Sequence, residues 1–248
     1  MIGMILALVA AAVGEASPEF DAFFADFAEK RDRVNVLEAR FSQMNVTPEE
    51  TIHSQGAIVY VKPRRIVFRY DEPEPGMTYL IDGVKAYEYE PDIRQLQGYD
   101  LEDNRETEIF FLGFDNNAEG LRKAYDVALF EPENKEQGAR GILLRPKKRE
   151  KDGGFFEEVS LYLRDQDYFP YRIHVVNDAE SSVVIEISDF TFNGPLDPAK
   201  TQIALPEGTR IIVNDELVEK VGPGGTSVPE PATPASDTPP TDKEPVAP

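Results

Sequence analysis

Thr78-Tyr79-Leu80-Ile81-Asp82-Gly83-Val84-Lys85-Ala86-Tyr87-Glu88-Tyr89-Glu90 sets two runs of strand-forming residues on either side of an Asp-Gly pair. Asp-Gly suits the two-residue primed turn that right-twisted strands need. The spacing therefore predicts a hairpin of residues 78–81 and 84–90 closed at Asp82-Gly83. The period of two extends outward from there. Leu37-Glu38-Ala39-Arg40-Phe41-Ser42 alternates apolar and polar residues, and the pattern continues through 57–62, 65–70, 93–99, 124–130, 141–146, 155–164, 171–177 and 181–192. Residues 105–120, with Ile109-Phe110-Phe111-Leu112, read as short helices crossing the sheet. About ten strands joined mostly by short turns, without alternating helices, exclude a parallel α/β fold. The expected class is mainly β (α+β), a strongly curved antiparallel β-barrel, closed or left open.

Upstream of the strands, Phe20, Phe23, Phe24, Phe27 and Ala28 recur at helical spacing, with Asp21, Asp26, Glu29 and Lys30 on the other faces. Ser17-Pro18 supplies an N-cap followed by proline at the first helical position. Nearly every strand offers one apolar face, and one helix cannot fill a barrel of this size with side chains. Two outcomes stay open. Either the sheet packs into a solid core without ligand, or an apolar cavity remains and the phenylalanine helix lies over it as a lid.

The chain has 248 residues, enough for one large domain with appendages. Forty-six acidic against 26 basic residues give a formal charge of −20, which argues against nucleic acid and against adsorption to an anionic membrane. The absence of cysteine excludes disulfides, thiolate metal sites, thiol nucleophiles and a Cys-linked lipid anchor. Residues 1–14 (MIGMILALVAAAVG) form an apolar run of signal-peptide length, too short to span a bilayer, and Gly14-Glu15-Ala16 fits a cleavage site. A core helix is the other reading of that run. From Gly222 onward the chain carries eight of its 20 prolines and no aromatic residue, the composition of an extended tail. The expected plan is a signal peptide at 1–16, a folded domain at 17–221 and a disordered Pro-rich tail at 222–248.

No catalytic constellation stands out. A G-x-S-x-G elbow, a phosphate-binding loop and an H-E-x-x-H helix are all missing. Carboxylate pairs such as Glu49-Glu50 and Glu157-Glu158 are expected by chance at this acidity. Asp165-Gln166-Asp167 has the look of a calcium-loop fragment, but lacks the following Gly and terminal Glu, so a hairpin loop is expected. His174 sits in a strand, opposite in pleat to Ile173 and Val175, and reads as a surface or partly buried residue. Arg64-Arg65 and Pro146-Lys147-Lys148-Arg149 are the basic clusters, the second a hairpin tip or a docking spot for an acidic partner. No enzyme activity, metal or cofactor is predicted.

The order of segments resembles the LolA-like family of periplasmic outer-membrane lipoprotein carriers. The resemblance runs from Leu37-Glu38-Ala39-Arg40-Phe41-Ser42-Gln43 through Gly56, Val61-Lys62-Pro63 and Phe68-Arg69-Tyr70. It continues in the hairpin from Asp82 to Asp92 with Gln95 after it. It ends in Phe169-Pro170, Ser188-Asp189-Phe190-Thr191-Phe192-Asn193 and Leu205-Pro206-Glu207-Gly208-Thr209. The resemblance implies an unclosed antiparallel β-barrel with a helical lid over an apolar cavity that holds lipoprotein acyl chains. It also implies an arginine four residues before the strand phenylalanine, both acting on lipid acceptance and release. Counting back from Phe68 gives Arg64, with Lys62 and Arg65 as rivals, because this chain has two more residues between Pro63 and Phe68 than the family pattern. Tyr70 and Tyr87 stand where the family often has tryptophan, and the proline tail lies outside the pattern.

On this reading Leu37, Phe41, Ile58, Ile66, Phe68, Tyr70 and Leu80 line the cavity, and Phe23, Phe24 and Phe27 close over it. The expected function is a soluble, monomeric periplasmic carrier, working without nucleotide. Its partners are acylated lipoproteins, an inner-membrane lipoprotein-releasing transporter and an outer-membrane receptor. Neither nucleic acid binding nor stable membrane insertion is expected. A lipid-sensing or regulatory periplasmic domain on the same scaffold is the alternative.

Overall fold

A computed structural model describes residues 18–100, 114, 118–147, 156–214 and 216–229. The expected signal peptide, the Ser17 cap, most of the 105–120 crossing and the tail from 230 lie outside the described residues. Helix α1 (Pro18–Asp32) precedes β1 (Val36–Val46), β2 (Thr51–Val61), β3 (Arg65–Glu72), β4 (Thr78–Ile81), β5 (Lys85–Glu90) and β6 (Gln95–Asp100). Helix α2 (Ala118–Ala124) then leads into β7 (Tyr125–Phe130), β8 (Arg140–Pro146), β9 (Glu158–Leu163), β10 (Pro170–Val176) and β11 (Ser182–Phe192). A short 3₁₀ turn (Pro198–Thr201) and four strands follow: β12 (Ile203–Leu205), β13 (Arg210–Val213), β14 (Glu216–Lys220) and β15 (Thr226–Val228).

Among the described residues, thirteen strands form one sheet in the order β14-β13-β6-β5-β4-β3-β2-β1-β11-β10-β9-β8-β7. All neighbours are antiparallel except β13 with β6. The sheet ends at β14 and β7 and is not closed. Two meanders are joined back to back at its centre, where β1 pairs with β11 from Leu37↔Phe192 to Val46↔Ser182. Asn193, at φ +52, secures this seam. Its side-chain carbonyl accepts from the backbone N–H groups of Asn35 (2.7 Å) and Val36 (3.2 Å), and its side-chain amide donates to the Arg33 carbonyl (2.8 Å). The family-like Phe-Asn ending of β11 therefore fixes where α1 hands over to β1.

One core unites the two halves of the sheet. It holds Leu37, Phe41, Ile58, Ile66 and Phe68 from one half with Val127, Ile142, Val159, Leu161 and Ile173 from the other. Tyr60 on β2 reaches Phe169, at the start of β10, through the ring of Phe114, with centroid spacings of 5.7 and 6.0 Å. The sheet must therefore curl around its inner face. The outer face of β2–β6 is also covered. Val59, Val67, Leu80, Tyr89 and Leu96 pack there against Ile203, Leu205 and Val221. Burial on both faces explains why Ala57-Ile58-Val59-Tyr60-Val61 and Ile66-Val67-Phe68 lack strict alternation.

The structure corrects two expectations about connections. The hairpin turn is centred on Gly83-Val84, not Asp82-Gly83, because Ile81 pairs with Ala86 and the Asp82 N–H donates to the Lys85 carbonyl. Gly83 takes φ +88, and the Asp82 carboxylate accepts from the N–H groups of Val84 and Lys85 at 3.0 and 2.8 Å. The composition also predicts disorder from Gly222, yet Thr226–Val228 forms strand β15, with Ile203 opposite Val228 and Leu205 opposite Thr226. The edge of β12 and the apolar patch beside it give these few residues a place to bury Val228 that composition does not register.

Candidate functional site

The inner face carries the predicted apolar surface, and α1 lies against it. Phe23, Phe24 and Phe27 are 6%, 4% and 0% exposed. Their rings form a continuous group: Phe23 stands edge-on to Phe24 at 5.3 Å, and Phe24 is 5.6 Å from Phe27. Tyr168, in the β9–β10 turn, stacks on Phe27 at 6.1 Å and touches Phe23 at 5.2 Å. On the other side of the face, Phe41 packs edge-on against Phe68 (5.8 Å) and Tyr70 (5.0 Å), and Tyr70 lies 5.9 Å from Tyr79.

Of the residues expected to line an apolar site, Leu37, Phe41, Ile58, Ile66 and Phe68 share this core with the three α1 phenylalanines, and half-buried Tyr70 packs against it. Leu80 does not. It belongs to the core on the opposite face, because β4 turns Tyr79 and Ile81 inward and Leu80 outward. All of Tyr79-Leu80-Ile81 is apolar or aromatic, so alternation carried no signal about which residue faces which side.

Two phenols of the inner wall are paired. The Tyr70 hydroxyl donates to the Gln43 side-chain carbonyl at 2.9 Å, and the Tyr79 hydroxyl to Glu88 at 2.8 Å. Burial pushes the Tyr70 phenol up to about 12, against the opposing pull of Gln43. Burial, then the Glu88 carboxylate, raises Tyr79 further. Of the three cations that rival for the family arginine, Lys62 bonds Asp32 at the end of α1 (3.2 Å), tying the helix to β2. Arg64 is in the β2–β3 turn against the Gly83 turn, where a Cβ on Gly83 would stand 3.1 Å from the Arg64 Cβ. Arg65 lies near Tyr87, which packs on the outer core.

Sequence reasoning missed Arg31. It is 1% exposed, the most bulky of the fully buried side chains among the described residues. Its guanidinium lies 4.5 Å from the centre of the Phe27 ring and 4.1 Å from that of Phe169, and it donates to the Tyr168 carbonyl. Sandwiched between two ring faces in the last turn of a helix, the cation meets two favourable fields at once. The spacing held the clue: Phe20, Phe24, Phe27 and Arg31 run at i, i+4, i+7 and i+11, so Arg31 continues the apolar stripe. Around it, the Tyr168 hydroxyl donates to Asp26 (2.9 Å), and Lys30 lies 3.9 Å over the Tyr168 ring and bonds the Asp165 carbonyl (3.1 Å). Asp165-Gln166-Asp167 is thus a structured hairpin loop, its carboxylates taken by the N–H groups of Ala139 and Phe169. Among the described residues no cluster of His, Asp or Glu has the makings of a metal site, and no helix is long and apolar enough to cross a membrane.

Residues 32–204 match the family described as outer membrane lipoprotein carrier protein LolA. Among solved structures, an uncharacterized conserved protein from Thermus thermophilus is 12% identical over 78% of this chain and 99% of its own, with a TM-score of 0.51. The LolA superfamily protein NE2245 from Nitrosomonas europaea is 12% identical over 71% of this chain and 96% of its own, with a TM-score of 0.37. A chain of the Pseudomonas aeruginosa MucA/MucB complex is 11% identical over 71% of this chain and 59% of its own, at 0.42. At these identities the likeness is one of fold. No curated protein matches the sequence.

Proposed function

Because this chain belongs to the family of outer membrane lipoprotein carrier proteins, LolA, we propose that it is a periplasmic carrier that shelters lipoprotein acyl chains on the inner face of its sheet. The observation that carries this reading is the group of three phenylalanines which α1 lays on a curled, unclosed apolar face. Each methylene kept from water is worth about 0.8 kcal/mol, so a long acyl chain stands on the order of 10 kcal/mol uphill in an aqueous gap. The sheet offers it an apolar surface, and Phe23, Phe24 and Phe27 occupy that surface when no lipid does. Acyl chains and helix rings then compete for the same contacts. This competition keeps affinity moderate and permits handover without nucleotide.

Arg64 and Phe68 act in acceptance and release, at the turn and on the strand of the same β2–β3 hairpin. Cargo arrives from an inner-membrane releasing transporter and leaves to an outer-membrane receptor. The formal charge of −20 keeps the carrier off anionic membranes between the two encounters. Native mass spectrometry of the protein purified from its own periplasm tests the reading. Co-purifying diacyl or triacyl species are expected, and persistent absence of lipid overturns it. Phe68→Leu, which keeps the position apolar, should weaken acyl uptake several-fold with the far-UV spectrum intact. Uptake unchanged by the substitution moves the site off this face.

A further inference from the structure

The outer face of the β7–β11 half carries a cleft of about 920 Å3, bounded on one side by the loop that joins β7 to β8. Its floor is aromatic. Phe130 stands edge-on to Tyr162 with centroids 5.1 Å apart, and Tyr171 follows at 6.1 Å. Phe130 can lie flat on the sheet only because Gly141 is beneath it: a Cβ there would come within 2.2 Å of the ring. Two cations of the cleft are already engaged with rings, Arg164 at 4.2 Å from Phe190 and Arg172 at 5.4 Å from Tyr162. Against these two stand five carboxylates, Glu131, Glu133, Glu136, Glu186 and Asp189; Glu131 is already paired with Lys135 of the same loop, at 2.5 Å, which leaves four.

A second cleft of about 340 Å3 shares Ser42, Arg172 and Glu186 with the first and carries the groove on to His53 and Gln55 of β2. Strand register explains the continuity. Tyr162 pairs with Arg172, Arg172 with Glu186, Glu186 with Ser42, and Ser42 with Gln55, so these side chains form one row across the sheet. From β7 to β2 the row crosses six strand spacings, about 29 Å, the length of roughly eight extended residues.

We infer that this groove docks an extended, lysine- or arginine-bearing segment of a partner protein. The half-exposed rings supply flat apolar contact and faces for cations, and the surplus of carboxylates supplies the complementary charge. The same surplus repels acidic peptides, nucleic acid and anionic lipid. The row Tyr162, Arg172, Glu186 and Ser42 is on the side of the sheet opposite the core that holds α1, so docking along it is tested apart from the carrier reading.

Fluorescence anisotropy of the full chain with a labelled, alternating Lys-Pro dodecapeptide at about 150 mM salt tests it. Binding is expected, and an alternating Glu-Pro peptide should not bind. Glu133→Lys with Glu136→Lys, both exposed loop positions, should weaken binding by about tenfold or more. The same reversal at Glu216 and Glu219, exposed on the distant edge strand β14, should change it by less than about twofold. Equal losses from the two reversals would reduce the effect to net charge and overturn the site. No binding of the Lys-Pro peptide, or equal binding of the Glu-Pro peptide, would overturn it as well.

Discussion

Tyr70 and Tyr79 place phenols on an apolar wall, and the cost appears in their titration. Burial is the leading cause that raises Tyr70 to about 12, and it likewise heads the causes that raise Tyr79, Tyr87, Tyr168 and Tyr171. In the unfolded chain these groups lose their protons near 10.0, whereas the folded protein retains them to higher pH. The contribution of Tyr70 to stability is therefore whole below pH 10 and drains away as pH rises towards about 12, and the other four phenols act in the same direction. The urea midpoint should fall across that window, with tyrosinate absorbance rising as the fold is lost. A midpoint that stays flat there would contradict the burial of these phenols. Asp26 acts in the opposite direction, held below its ordinary 3.8 chiefly by the Tyr168 hydroxyl and then by Lys30. What it contributes is present at neutral pH and lost as pH drops through that lowered value; being half exposed, it contributes little.

At the scale of the element, the proposed carrier role turns on α1. Its apolar stripe was plain in the spacing of Phe20, Phe23, Phe24 and Phe27, and so was the face it must bury. What spacing could not supply was the partner: Tyr168, held at φ +56 in the β9–β10 turn, rises more than a hundred residues away to meet Phe23 and Phe27. If the rings compete with acyl chains, removing two of them should have effects of opposite sign on fold and ligand. Phe23→Ala with Phe24→Ala should lower the melting temperature, since deleting a buried phenylalanine costs about 3–5 kcal/mol. The same variant should bind a fluorescent fatty-acid probe more tightly than the parent chain. Weaker or equal binding by a folded variant would remove the lid from the mechanism.

At the scale of the molecule, the sheet is too large for one core and uses two. The inner core runs through both meanders, while the outer core of β2–β6 depends on the C-terminal strands. Arg69 joins the layers by donating to the carbonyls of Ala199 (3.1 Å) and Gln202 beside β12. Truncation separates the roles of the C-terminal residues. A chain ending at Pro229 should melt with the full chain, because the residues beyond it are too poor in apolar groups to add a packed layer. A chain ending at Gly222 loses β15 and uncovers Ile203 and Leu205, and should melt at least about 4 °C lower. Equal melting of the two would mean that β15 contributes nothing to the fold.

Period, turn chemistry and motif order were enough to determine the class of fold, the helix stripe, most strands and the family, since each is written in residues near one another in the chain. Tertiary structure decided what covers each face. Leu80 and Val59 turned outward beneath a C-terminal layer, Arg31 entered a ring sandwich, residues 51–55 became strand by pairing with the polar end of β1, and Thr226–Val228 left the tail to join β12. Alternation records which side chains share a side of a strand, and it is erased where both sides are buried. Which distant segment then fills the space is settled by closing the chain on itself.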